Sequence, residues 1–188
     1  PARTENPKPP PPWKGSFDGL LVAVPATERP ARNRLRRAAR MAGYAPLRPG
    51  LMIGVRNRWT ALAEVVGDLP AAASVYPVTL GMRLDDARRA ANDAWRLDRA
   101  SSKLHTLADR LEVIGTRPPS EYGAAALRGY VTQVLPAYRL FVRVPPLPVE
   151  LLPEDWPVAR LVESVTVVRG HLGARAATYV EELLSHGR

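Results

Sequence analysis

The sequence predicts an α+β fold, a small sheet-containing domain followed by an all-helical one. Three observations carry this. Short apolar runs bounded by Gly and Pro recur between residues 19 and 82. Helical periodicity separates them. After Arg83 the short runs stop and long heptad-like stripes take over.

The elements follow in order. PARTENPKPPPP, residues 1–12, is a low-complexity tail or linker, and Pro9 to Pro12 favour an extended polyproline conformation. GLLVAVPA, Gly19 to Ala26, reads as a strand. Thr27 then suits a helix N-cap, and a helix is expected from about Glu28 to Ala42 with Gly43 just past its end. Ala31, Leu35, Ala38, Ala39 and Ala42 share its apolar side. Pro46 and Pro49-Gly50 punctuate the approach to a second strand, Leu51 to Val55. A shorter helix is expected over Trp59 to Val66, and a third strand over Ser74 to Met82, where Pro77 argues for an edge position or a bulge. Strand, helix, strand, helix, strand suits a split βαβ unit of ferredoxin-like type, although a fourth strand is not visible. The expected ferredoxin-like domain is 13–83.

Residues 84–188 form the expected helical domain. Leu97, Ala100, Leu104, Leu107, Leu111 and Ile114 alternate at spacings of three and four, a seam for intra-chain packing or for a dimer. Pro118-Pro119 and Ser120 end that helix and start a second, with Tyr122, Ala126, Tyr130, Val134 and Phe141 and a kink at Pro136. A Pro-rich connection, Val144 to Pro157, leads to a last helix carrying Leu161, Val165, Val168, Leu172, Ala176, Tyr179 and Leu183. No internal repeat is visible.

Composition narrows the chemistry. The chain has no cysteine, which excludes disulfides, a thiol nucleophile and thiolate-held metals. No apolar run approaches the ~18 residues of a membrane span, and no signal peptide is visible, so a cytoplasmic protein is expected. The start at Pro1 suits Met removal or a fragment of a longer protein. His105, His171 and His186 have no ligand spacing, and no nucleophile or phosphate-loop motif occurs, so neither an enzyme nor a cofactor or metal site is expected. Asp85-Asp86 suits the charged start of a helix.

The net charge is +9, and all but Lys8, Lys14 and Lys103 of the 27 basic residues are arginine. Between Ala26 and Gly43 six arginines face one acid, Glu28. Arg29, Arg32, Arg36, Arg37 and Arg40 cluster opposite the Leu35/Ala39 stripe at helical spacing. The face reads either as solvated surface or as a binder of phosphates, because guanidinium pairs with phosphate bidentately. It lacks interleaved aromatics, so any nucleic-acid contact would be to the backbone. Trp156, in the Pro-braced EDWP loop, suits a core anchor or a ligand contact.

Three blocks resemble the phenylacetic-acid degradation operon repressor (PaaX) family: PPWKGSFDGLLVAVP with RLRRAARMAGYAPLRPGLMIG, then AWRLDRASSKLHTLADRLE, then AYRLFVRVPPLPVELLPEDWP. They span roughly Trp13 to Trp156 in family order. The resemblance implies a winged helix-turn-helix, a central ferredoxin-like domain and a helical C-terminal domain, in a dimeric repressor of aromatic-catabolism genes released from DNA by an aryl-acetyl-CoA. The winged helix has no counterpart here, so DNA contact is expected through an upstream domain outside this chain. Arg139, Arg143 and Trp156, near the LLPEDWP segment, are the ligand contacts that this implies, with the α-helical arginines as phosphate contacts. Two departures stand out. The family's central domain resembles small CRISPR adaptation nucleases whose first strand ends in a metal-binding Asp, and Ala23 takes that place. Val144-Pro145 replaces the family's Asp before Pro. A second reading keeps only the charge: a scaffold or nucleic-acid-backbone binder with no small-molecule effector.

Overall fold

The computed structural model describes residues 12–116, 124–143 and 147–186. The chain forms two compact units. The first comprises Pro1–Leu97 and Pro145–Leu152, the second Asp98–Val144 and Pro153–Arg188. The first unit runs past residue 83 to Leu97 and includes the helix Leu84–Trp95, whose four buried alanines, Ala87, Ala90, Ala91 and Ala94, pack against the sheet.

In the first unit, β1 (Ser16–Ala23) runs centrally. It is followed by α1 (Arg29–Met41), β2 (Ala45–Arg48), β3 (Leu51–Gly54), a 3-10 turn (Trp59–Leu62), α2 (Ala63–Gly67) and β4 (Ser74–Gly81). The sheet is antiparallel in the order β2-β3-β1-β4. Pro46 and Pro77 both lie in its edge strands, where a missing N–H interrupts no ladder bond on the open side. The strand missed in the sequence is β2. Its APLR stretch is short and Pro-flanked, so it reads as turn, yet it pairs Ala45 with Ile53 and Pro46 with Met52. Pro49-Gly50 makes the hairpin turn, with Gly50 at φ 75°, a region that favours glycine. Gly50 also holds the chain close to β1, where the Val22 N–H donates to its carbonyl at 2.7 Å.

Helix α1 starts without the expected Thr27 cap. Glu28 occupies the cap position and makes no side-chain cap hydrogen bond, while Pro30 sits in the first turn, where its missing N–H costs nothing. Gly43, at φ 91°, ends the helix as expected. One sheet face packs Leu20, Val22, Met52 and Val75 against Ala38 and Ala39 of α1 and Leu62 and Val66 of the following segment. Alternation along β1 puts Phe17 on the other face. There its ring lies 4.5 Å from Trp13 and 6.1 Å from Trp95. Trp95 ends α3 (Leu84–Trp95), whose first turn carries Asp85 and Asp86, as expected of a helix start.

A left-handed Arg96 (φ 54°) breaks α3 from α4 (Leu97–Thr116). In the second unit, α4 joins α5 (Ala124–Arg143), which contains Pro136, and α6 (Val158–His186). Leu104, Leu107, Ala108 and Leu111 of α4 pack with Val134 of α5 and with Leu161, Val168 and Leu172 of α6. The heptad-like seam is thus used within the chain. Pro118 to Ser120 and Tyr122 lie outside the described residues. Among the described residues no helix is long and apolar enough to cross a membrane.

Within this unit Arg160 fastens α6 to α4. Its Nε and Nη2 donate to the two Glu112 carboxylate oxygens at 2.6 Å each, and Nη2 also reaches Asp109 at 2.7 Å. The Arg160 hydrogen bonds hold the Glu112 carboxyl below its ordinary value of 4.5, against a smaller opposing effect of burial. A carboxyl lowered in the folded state stabilises the fold above its unfolded pKa and loses that contribution as pH falls through the folded one. The urea midpoint of the parent should therefore exceed that of Glu112→Gln at pH 6, and the gap should close below about pH 4.5. A gap that stays constant down to pH 3 would show that the pairing contributes nothing titratable.

Candidate functional site

The sheet unit holds a recessed cleft of about 400 Å³ between one face of α1 and the hairpin of β2 and β3. Arg32, Leu35, Arg36 and Arg40 line it from α1. Val22 and Val24 contribute from the end of β1, and Pro46, Arg48, Pro49, Gly50, Leu51 and Met52 from the hairpin. Four arginines thus share the cleft with an apolar lining backed by Leu35 and Met52, both buried.

The α1 arginines are placed against local electrostatics. Arg32 and Arg36, and Arg36 and Arg40, are like-charge pairs one turn apart, each unfavourable by about 0.2–0.5 kcal/mol in a helix. The first turn of α1 contains no acid to answer the helix dipole. Among the described residues, no carboxylate pairs with Arg32, Arg36 or Arg40. Arg48 is held differently. Its Nη1 donates to Asp93 on α3 at 3.3 Å and to the Leu47 carbonyl at 3.2 Å. An unpaired cationic row beside an apolar floor suits an anion with an apolar body.

The five arginines singled out in the sequence divide. Arg32, Arg36 and Arg40 line the cleft. Arg29 and Arg37 are exposed on α1 and do not line it. Arg34 turns aside, and its Nη2 donates to the Asp68 carbonyl at 3.2 Å. Arg48 and the apolar floor were not legible in advance, because only the β2–β3 pairing brings the hairpin to α1. The other three residues lie in the helical unit. Trp156 is half-buried and packs against the helical core. The preceding residue is pinned to α4, with the His105 ring Nε2 at 3.0 Å from the Asp155 carbonyl and 3.3 Å from its carboxylate. The loop is therefore braced, and Trp156 adds its ring to the packing of that core. Arg139 and Arg143 fall on the last turns of α5, and their side chains lie outside the described residues. Among the described residues no group of three or more His, Asp or Glu side chains comes together as a metal set.

No family model and no curated protein matches the chain. Among solved structures it is similar to an uncharacterized protein, Rv0674 from Mycobacterium tuberculosis, with a TM-score of 0.59 and 23% identity. The match covers 88% of this chain, which spans 65% of that protein's length. At that identity the likeness concerns the fold.

Proposed function

We propose that this chain is the effector-binding and dimerisation portion of a PaaX-like transcriptional repressor of aromatic-compound catabolism, sensing an acyl-CoA. In this reading it is a cytoplasmic binding protein and not an enzyme, and it meets DNA through a winged helix outside residues 1–188. The order β1-α1-β2-β3-α2-β4 with strand order β2-β3-β1-β4 supports reading the first unit as ferredoxin-like. The observation that carries the effector reading is the arginine-lined cleft with its apolar floor. A ligand with phosphates and an apolar arm answers both halves of that surface. Leu183 and Leu184, exposed near the end of α6, offer apolar area to a second copy.

A panel of acyl-CoAs tests the reading. A true effector at a hundred times its Kd stabilises by about 2.7 kcal/mol, which for a chain of this size corresponds to roughly 5–10 °C in Tm. If no acyl-CoA raises Tm at saturation, the effector assignment fails.

The alternative, a nucleic-acid-backbone binder or scaffold, draws on Arg29 and Arg37, which remain exposed outside the cleft. It predicts sequence-independent binding to duplex DNA that weakens steeply between 50 and 200 mM salt, by roughly 10³-fold or more if six phosphates are contacted. Arg29→Glu/Arg37→Glu should then reduce both the affinity and the salt slope. Binding equal to that of the parent would exclude this alternative.

A further inference from the structure

We propose that the cleft takes the polyphosphorylated end of its ligand: a nucleotide-sized group with two or more phosphates along Arg32, Arg36 and Arg40, and its ring on the apolar lining that includes Val22, Val24 and the hairpin prolines. This deepens the effector reading and rests on it only for the biological source of the ligand.

Three features of the cleft argue for it. The first is spacing. Arg32, Arg36 and Arg40 rise along α1 by about 6 Å per step, close to 12 Å end to end. A single carboxylate engages one guanidinium bidentately and leaves the others unanswered. A row of cations selects a ligand whose negative charges are themselves in a row. The fourth cation, Arg48, enters from the hairpin and is partly held by Asp93.

The second is size. A volume of about 400 Å³ lies near the lower end of the range for small-molecule pockets, ~300–1,000 Å³. It accommodates a nucleotide. A whole acyl-CoA, with its nucleotide, pantetheine arm and acyl group, exceeds it. An acyl-CoA would therefore insert its nucleotide end and leave the acyl arm outside the recess, so affinity should depend little on acylation.

The third is the floor. A nucleic-acid backbone lying across a cationic surface has no use for a recessed apolar base, whereas an adenine ring stacks on one. Leu35 and Met52 are all but closed to solvent and back the recess, so the apolar surface open to a ring comes from the half-buried Val22 and Val24 and from Pro46 and Pro49 at the rim.

The experiment is isothermal titration of the full chain with ADP, unacylated CoA, pyrophosphate and phenylacetate. Two double variants are compared with the parent, Arg36→Gln/Arg40→Gln inside the cleft and Arg29→Gln/Arg37→Gln on α1 outside it. Both remove two charges from exposed positions of the same helix, and urea midpoints check that both fold. The expected result is binding of ADP and CoA, weaker binding of pyrophosphate and none of phenylacetate. The cleft variant should lose affinity for ADP and CoA by about tenfold or more, and the outer variant should stay within about twofold.

Three results would overturn it. They are no binding of ADP or CoA, equal losses in the two variants, or phenylacetate binding that the cleft variant abolishes. The two proposals separate cleanly. If an acyl-CoA raises Tm equally in the parent and in Arg36→Gln/Arg40→Gln, the effector reading stands and the cleft assignment fails. If ADP binds in the cleft and no acyl-CoA raises Tm, the cleft assignment stands and the effector reading fails.

Discussion

Phe17→Ala should destabilise the chain by about 3–5 kcal/mol, the usual cost of emptying a buried aromatic site. Phe17 is fully buried and holds together Trp13, its own strand and Trp95 at the end of α3. Its loss removes transfer free energy and two ring contacts, each of which contributes about 0.5–1.5 kcal/mol. The sheet is too tightly paired along β1 to close over the void. Urea unfolding should show a lower midpoint with an unchanged m-value. Phe17→Leu should recover more than half of the loss. A cost below about 1.5 kcal/mol for Phe17→Ala would mean that the site collapses freely and that the aromatic cluster does not join α3 to the sheet. Phe17 does not line the cleft. Ligand affinity measured well below the unfolding midpoint should therefore match the parent.

Leu111→Ala should have a comparable effect in the helical unit, about 2–5 kcal/mol. Leu111 is fully buried amid side chains of α4, α5 and α6. The same substitution distinguishes the two uses of the α4 seam. Because the seam is filled from within the chain, Leu111→Ala should lower the urea midpoint and leave the mass in solution, by light scattering, equal to that of the parent. A change of mass at a concentration where the parent's is constant would return the seam to the interface between copies.

Local patterns were legible wherever one element's own chemistry decided the outcome. The alanine and leucine side of α1 buries as its 3.6-residue period requires, with Ala31, Leu35 and Ala39 in the core. Gly43 ends that helix because the left-handed conformation there suits glycine. Pro77 marks an edge strand because it cannot donate. The α4 stripe buries as its spacing predicts.

The misses share a cause. APLR carries too few residues and too many turn formers to announce a strand, and pairing with β3 makes it one. The small-residue face of α3 fits closely on the sheet, and Arg96 breaks the helix in a conformation that no propensity argument anticipates. Thr27 had the right chemistry for a cap one residue too early.

For the candidate site the division is similar. The sequence by itself determined that α1 would be amphipathic, with an arginine-rich side and an alanine-rich one, because helical periodicity depends only on neighbours within a few residues. It also determined that cysteine chemistry is absent. Only the tertiary structure decided which of those arginines share a recess. Arg32, Arg36 and Arg40 face the β2–β3 hairpin, Arg29 and Arg37 do not, and Arg48 joins them across the sheet. That outcome depends on strand register and on the packing angle of a helix over a sheet. Both are set by contacts between residues far apart in the chain, which no local pattern encodes.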